Sequence, residues 1–254
     1  MPAATLIQIL SIAGSALVAL KLLKTGLFRK YAVFFLYLLF RIPDTLIPMR
    51  MEVTSANYFR FWIATEPVFW AFFIFVAQEI SSLIFKKHKG VSTFGRWAMY
   101  GGISASVLIS LATKYLNDPH SIQGSTMAWY LGAERGITLG VAVFLLLLLV
   151  FLSRYPVPMA RNLLGHLAIY TVYFFSIFLV FLVRSVFGKQ MNDQANFLLS
   201  VVSALCMFAW FIFVFNLKGE EVRASLPTFS PEYEKRALLQ LEALNTTLLR
   251  AARK

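Results

Sequence analysis

The sequence predicts an all-α, polytopic membrane protein. We expect a bundle of seven transmembrane helices with its N-terminus outside and its C-terminus in the cytoplasm, followed by a cytoplasmic amphipathic helix. Three observations predict this class. Of the 254 residues, 59% are hydrophobic and 14% charged, whereas a soluble domain carries roughly 25% charged residues. The apolar residues form seven long stretches, and Lys and Arg collect in alternate connections between them.

Each of the seven stretches approaches the roughly 20 apolar residues that a helix needs to cross the hydrocarbon core. They cover residues 4–22, 31–49, 61–84, 96–114, 128–152, 163–185 and 195–217. The fifth and seventh contain the uncharged runs VAVFLLLLLVFL and FAWFIFVFNL, whereas the second contains Arg41 and Asp44. The sequence therefore divides into a transmembrane domain, 1–217, and a tail, 218–254.

The connections alternate in charge, and this alternation predicts the orientation. The first, third and fifth together hold ten Lys or Arg and no acidic residue, whereas the second, fourth and sixth include Glu52, Asp118 and Asp193. An excess of Lys and Arg marks the cytoplasmic side. No basic residue precedes Lys21, so the first stretch predicts an uncleaved helix rather than a signal peptide. We expect a multi-pass protein of the plasma (inner) membrane.

The tail changes character after the last apolar stretch. Residues 224–227 predict a linker, and Ser230 followed by Pro231 predicts the start of a helix over 231–253. Its apolar residues recur at helical spacing on one face, namely Ala237, Leu241, Leu244, Leu248 and Ala251. Such a helix would lie on the inner leaflet or against the bundle; alternatively, it would dock a cytoplasmic protein partner.

Ionisable residues inside the predicted membrane spans form the candidate site. Within the segment FRIPDTLIP, Arg41 and Asp44 are three residues apart and could form a local pair. The residues expected in the outer half of the bundle are Arg41, Asp44, Glu66, Glu134, Arg135 and Arg184. One unpaired charge at mid-bilayer costs at least about 2.5–3.5 kcal/mol, so mutual pairing is expected.

Two interpretations of these charges stay open. They form interhelix ion pairs that fix the packing, or they line a cavity that binds a small polar or charged ligand from the outer side. A third reading makes Thr65-Glu66-Pro67 the start of a helix, with Glu66 at the membrane surface. Glu79, near the inner end of the third stretch, would reach the inner face or stay protonated as a proton site.

Motifs for chemistry are absent from the sequence. The seventh stretch has no lysine for a retinal Schiff base, and the single cysteine, Cys206, excludes an internal disulfide. Ser104 and His166 are expected at different depths, which argues against an intramembrane protease. The small residues around Ser104 predict close helix packing instead. We expect no catalytic residues, metal site or cofactor, and hence no enzyme.

The net charge of +12 does not predict nucleic-acid binding. The basic residues fall in short groups between apolar stretches instead of forming one tract. The partners expected from the sequence are therefore the lipid bilayer, a small polar or charged ligand, and a cytoplasmic protein.

Three short segments carry a family resemblance: YAVFFLYLLFR at 31–41, YFRFWIATEPVFW at 58–70, and ERG at 134–136. They resemble bacterial seven-helix membrane proteins that have no assigned activity. In those proteins an Arg ends an aromatic-rich second span, a Trp/Glu pair opens the third, and Glu-Arg lies in the fifth. The resemblance implies seven spans and directs attention to Arg41, Trp62, Glu66, Glu134 and Arg135.

The expected function is that of an integral membrane sensor or receptor-like module. A charged cavity in the outer half of the bundle would bind a ligand, and the tail helix would contact a partner. A small-solute transporter and an accessory or assembly subunit with structural charges are the alternatives.

Overall fold

The computed structural model describes residues 3–52, 55–117, 126–155, 157, 159–187, 192–220, 222–223 and 231–251. This part of the chain contains eight α-helices. They are α1 (Ala3–Lys24), α2 (Ala32–Leu46), α3 (Ala56–Ile84), α4 (Lys89–Asn117), α5 (Thr126–Arg154), α6 (Arg161–Phe187), α7 (Asn192–Phe213) and α8 (Pro231–Ala251). Two short strands, β1 (Met159–Ala160) and β2 (Val222–Arg223), pair antiparallel.

Six of these helices, α1, α2, α3, α5, α6 and α7, are long and apolar enough to cross a membrane by length and composition. The all-helical prediction is confirmed, and the architecture is that of a multi-pass membrane protein. Each of the seven predicted stretches overlaps one of α1–α7. The fourth, which overlaps α4, is not among the six because glycine and serine dilute its apolar residues.

Helix α3 begins earlier than predicted because Ser55 caps it. The Ser55 hydroxyl accepts a hydrogen bond from the backbone nitrogen of Tyr58 at 3.1 Å, which satisfies one of the free N–H groups at a helix start. The helix therefore begins at Ala56 and includes Pro67 in its interior. The reading in which Glu66 opens this helix is wrong, since Glu66 lies about three turns inside it.

The N-terminus of α2 is capped by a side chain from α3. The two carboxylate oxygens of Glu79 accept hydrogen bonds from the backbone nitrogens of Val33, at 2.9 Å, and Phe34, at 3.3 Å. The first N–H groups of a helix have no partner within the helix, and a carboxylate also complements the positive end of the helix dipole. Glu79 thus joins α3 to α2, and its predicted role as a proton site stays a prediction.

Aromatic side chains fill the centre of the bundle between α2, α6 and α7. Phe34 lies 4.8 Å from Trp210 and 4.5 Å from His166, measured between ring centroids. His166 is fully buried, and neither of its ring nitrogens has a hydrogen-bond partner. It lies among rings and makes no contact with Ser104, which is exposed on α4.

Three glycines bring the backbones of α4 and α5 into contact. Gly132, Gly136 and Gly140 follow one another at four-residue spacing on α5. A Cβ placed on Gly136 would lie 2.5 Å from the Cα of Val107, and one on Gly140 would lie 2.8 Å from the Cα of Ile103. This is the small-residue packing of membrane helices, in which a missing side chain permits close approach.

Of the small residues of α4, Ser106 takes part in this contact, since its backbone oxygen would lie 3.0 Å from a Cβ on Gly136, whereas Gly101 and Gly102 do not. Gly101 and Gly102 have no atom within 4 Å of an added Cβ, and both are exposed. The reason is that α5 contributes the glycines of this interface, while α4 contributes the larger side chains Ile103, Val107 and Leu111.

Polar contacts join the segments at the end of the bundle that holds the α1–α2 connection. Glu220 forms a salt bridge with Lys30, and it accepts hydrogen bonds from the Tyr31 hydroxyl at 3.0 Å and the Asn162 amide at 2.7 Å. Burial, followed by the nearby Glu220 carboxylate, raises the pKa of the Tyr31 phenol. On the neighbouring helix, the Lys21 ammonium donates to the backbone oxygens of Phe211 and Val214.

The tail helix α8 packs against α4. Ala237 and Leu241 are buried, and the Asn245 side-chain oxygen accepts a hydrogen bond from the backbone nitrogen of Gly90 at 2.8 Å. The sequence left the position of the tail helix open. In the structure the helix packs against the bundle. Leu244, predicted on the packed face, is 41% exposed, because the packed face continues through Asn245. The predicted linker and Ser230 lie outside the described residues.

Candidate ligand-binding cavity

A cavity of about 310 Å³ lies between α2, α3, α5, α6 and α7. We call it the charged cavity, because four ionisable side chains line it. They are Arg41, Asp44, Glu66 and Glu134. The same cavity is lined by the hydroxyls of Tyr173 and Thr138 and by apolar side chains that include Phe69, Phe73, Ile177 and Val180.

The Arg41 guanidinium is held by four hydroxyl groups from four helices. One terminal nitrogen donates to the hydroxyls of Tyr37, at 2.6 Å, and Tyr173, at 3.3 Å. The other donates to Ser11, at 3.1 Å, and to Ser203. The four terminal N–H groups of this side chain can therefore be satisfied without any carboxylate. The arrangement ties α1, α2, α6 and α7 to one point.

Arg41 and Asp44 do not form the local salt bridge that their spacing allows. Among the described residues, no carboxylate oxygen lies within 4.0 Å of the Arg41 nitrogens. Asp44 and Thr65 of α3 line the same space at the α2–α3 connection. The charge of Arg41 is thus held close to the acidic residues of the cavity without being neutralised by direct contact.

Glu66 and Glu134 line the cavity from α3 and α5. Ionised carboxylates accept hydrogen bonds and do not donate them. The two side chains therefore offer carboxyl oxygens to the hydrogen-bond donors of a ligand.

Two further cavities adjoin the charged cavity. One, of about 410 Å³, lies at the α2–α3 connection and shares Asp44, Thr45 and Glu66 with it. The other, of about 240 Å³, lies toward α1 and shares Arg41, Thr45 and Tyr173. Thr45 lines all three cavities.

The structure brings four of the six predicted outer charges to one cavity. Arg135 follows Glu134 on α5 and does not line the cavity, as expected for neighbours that point about 100° apart on a helix. The backbone of Arg184 lies in α6, and its side chain is outside the described part of the structure. Glu79 lies elsewhere, at the start of α2. Ligand binding by this cluster stays a prediction.

The hydroxyl groups around Arg41 were not predicted from the sequence. Ser11, Tyr37, Tyr173 and Ser203 lie in four different apolar stretches, separated by up to 192 positions. A single serine or tyrosine within such a stretch carries no signal of its own. The one available signal was the buried arginine itself, which needs several acceptors wherever it lies.

The lining of the charged cavity combines charged and hydroxyl groups with apolar side chains. Within the described ranges, no group of three His, Cys, Asp or Glu side chains is arranged to hold a metal ion. The buried thiol of Cys206 does not line the cavity. What the arrangement can do is hold a small molecule through hydrogen bonds and charge.

Comparisons with known proteins do not add to this description. No family model, no curated protein and no solved structure matches the chain.

Proposed function

We propose that this protein is a receptor-like module of the plasma membrane with seven spans, an external N-terminus and a cytoplasmic tail. The charged cavity binds a small polar ligand from the outer side. The tail helix α8 reports occupancy of the cavity to a cytoplasmic protein partner. The exposed side chains of Leu239 and Leu244 offer that partner an apolar contact.

The packing of α4 supports a seventh crossing. This helix has 29 residues, as does α5, and 29 residues extend for about 43 Å. The glycine contact joins the two helices from Ile103 opposite Gly140 to Leu111 opposite Gly132. A helix in backbone contact with an apolar spanning helix shares its depth. The exposed Leu108 and Ile109 of α4 would then face lipid.

The orientation rests on the distribution of Lys and Arg. Single cysteines in a Cys206→Ser background test it, one at Glu52 between α2 and α3 and one at His88 between α3 and α4. An impermeant maleimide added to intact cells is expected to label the first and not the second. Labelling of position 88 from outside would overturn the orientation.

One observation carries the sensor proposal: a chain of direct contacts links the cavity to the tail. Glu134 lines the cavity from α5, α5 packs on α4 through its glycines, and the first turn of α4 is bonded to Asn245 of the tail. A displacement of α5 at the cavity would move α4 with it, because a backbone contact leaves no flexible side chain between them.

The coupling can be tested without knowing the ligand. Leu241 is fully buried under the tail helix, so a Leu241→Cys variant in the Cys206→Ser background reports undocking through maleimide labelling. Glu134→Gln and Glu66→Gln alter the cavity, whereas Leu147→Ala alters an exposed position on α5 and serves as control. We expect the cavity variants to change the labelling rate about fivefold or more, the lower range of allosteric coupling. An unchanged rate in both cavity variants would contradict the proposal.

A small-solute transporter is the second candidate, favoured by two prolines inside helices that line the cavity. Pro43 lies within α2 and Pro67 within α3, and interrupted helices often surround transport sites. Transport would require the aromatic core to open toward the cytoplasm. A Phe73→Cys variant labelled from the cytoplasmic side of inverted vesicles would favour transport, and complete protection would favour the receptor.

A further inference from the structure

We propose that the ligand of the charged cavity is a small zwitterion, with an ammonium and a carboxylate on a short apolar body. The inference deepens the proposed function and rests on it, since it names the class of molecule for the same cavity. It follows from the two sides of the cavity. We call Arg41, Tyr37 and Tyr173 the donor side, and Asp44, Glu66 and Glu134 the acceptor side.

The donor side has a fixed positive charge and oriented hydroxyl groups. A hydroxyl oxygen that accepts a hydrogen bond from Arg41 keeps its own proton to donate. Both tyrosines line the cavity, so such a proton can be donated to an approaching acceptor. No carboxylate among the described residues contacts Arg41. This side therefore attracts an anionic group that accepts hydrogen bonds.

The acceptor side has the opposite character. Asp44, Glu66 and Glu134 place three carboxyl groups on this side of the cavity, from three different helices. Its oxygens accept hydrogen bonds, which an ammonium group donates in three directions. A ligand ammonium would lie between these carboxyl groups.

The size and walls of the cavity limit the rest of the molecule. A volume of about 310 Å³ is at the lower end of the range for ligand pockets. Other side chains that line the cavity are apolar, among them Phe69, Phe73 and Ile177. A bare metal ion does not fit, since no described group of three ligating side chains surrounds one point. In a low-dielectric site, a zwitterion gains attraction from both sides of the cavity, whereas a purely cationic or anionic ligand gains it from one.

Three molecules of matched shape test this inference: L-valine, isobutylamine, which lacks the carboxylate, and isovalerate, which lacks the ammonium. Binding to the full-length protein in lipid nanodiscs is measured by calorimetry. We expect valine to bind about tenfold or more tightly than either one-ended analogue, since each charged contact contributes at least that factor.

Variants assign each charged group of the ligand to its side of the cavity. Arg41→Gln is expected to abolish the preference for valine over isobutylamine. Glu134→Gln is expected to weaken the binding of valine and the binding of isobutylamine to the same extent. Tyr173→Phe removes one donor, leaves Arg41 in place and is expected to reduce the preference in the same direction, so the test survives if Arg41→Gln fails to fold. Glu242→Gln, on the exposed surface of α8, is the control.

The outcomes separate this inference from the proposed function. Equal binding of valine and isobutylamine, or no binding of any of the three, overturns the zwitterion. If valine binds but does not change the labelling rate of Leu241→Cys, the ligand proposal is upheld and the sensor proposal is contradicted. A labelling rate that responds to Glu134→Gln in a protein that does not prefer valine upholds the sensor and contradicts the zwitterion.

Discussion

The side-chain oxygen of Asn245 lies 2.8 Å from the backbone nitrogen of Gly90 and 3.4 Å from that of Val91. The tail helix thereby caps the first turn of α4, a position that a residue just before the helix normally occupies. A Cβ on Gly90 would lie 2.5 Å from the backbone oxygen of Asn245. Glycine is therefore required at this position for the tail to dock as it does.

We predict that Gly90→Ala displaces the tail helix from α4. The added methyl group would overlap the Asn245 backbone, which cannot rotate away as a side-chain end could. Maleimide labelling of Leu241→Cys should increase about tenfold, which corresponds to roughly 1.4 kcal/mol of lost docking. Gly101→Ala is the matched control, because nothing lies within 4 Å of its added Cβ on the same helix. Equal labelling in both variants would contradict the role of Gly90.

We predict that Gly136→Leu separates α4 from α5. Its side chain would occupy the space of the Val107 backbone, where the Cβ alone would lie 2.5 Å from a Cα atom. Overpacking of this kind costs about 1–3 kcal/mol or more, and the thermal midpoint in detergent should fall accordingly. Gly102→Leu adds the same side chain to an open position and should leave the midpoint unchanged. A similar loss in both variants would show that the contact is not specific.

We predict that Glu66 and Glu134 share a single proton, because two carboxyl groups that line one cavity disfavour the ionisation of both. Infrared difference spectroscopy of the protein should show one protonated carboxyl band that disappears in Glu66→Gln and also in Glu134→Gln. The double variant should lose no further band, because both residues contribute to the same proton. Glu242→Gln, outside the cavity, should retain the band. If each single variant lost a different infrared band, the two carboxyl groups would hold separate protons.

We predict that Glu79→Ala destabilises the protein through α2. The substitution leaves the backbone nitrogens of Val33 and Phe34 without their acceptor, and loss of a helix N-cap costs about 1 kcal/mol. A buried position raises that cost. Glu79→Gln should restore part of the loss, because an amide oxygen can accept one of the two bonds. Glu52 is an exposed acidic residue and serves as the control. If Glu52→Ala lowers the thermal midpoint of unfolding as much as Glu79→Ala does, the capping explanation is contradicted.

The helices could be predicted from the sequence because a membrane span is a property of one segment. A run of about 20 apolar residues crosses the bilayer whatever its neighbours are, and each predicted stretch overlaps one helix of the structure. Segment ends were less certain. Helix α3 begins at Ala56, earlier than predicted, because the Ser55 side chain caps it. The residues around Ser55 do not distinguish it from other serines in the sequence.

Contacts between helices could not be predicted in the same way. The spacing of Arg41 and Asp44 allowed a pair on α2, but four hydroxyls from other turns and helices satisfy the guanidinium first. The sequence predicted close packing through the small residues of α4, whereas the glycines at the contact are Gly132, Gly136 and Gly140 of α5. Which face of a helix meets a neighbour depends on the whole bundle, and one sequence does not encode it locally.

The glycine contact has a consequence for how the protein enters the bilayer. Helix α4 is too rich in glycine and serine to partition into lipid by its own composition, whereas α5 is strongly apolar. With seven crossings, we therefore expect the insertion machinery to retain α4 until α5 has been synthesised and to release the two as a hairpin. A chain truncated between the two helices would therefore leave α4 outside the hydrocarbon core, whereas the longer chain would insert it together with α5.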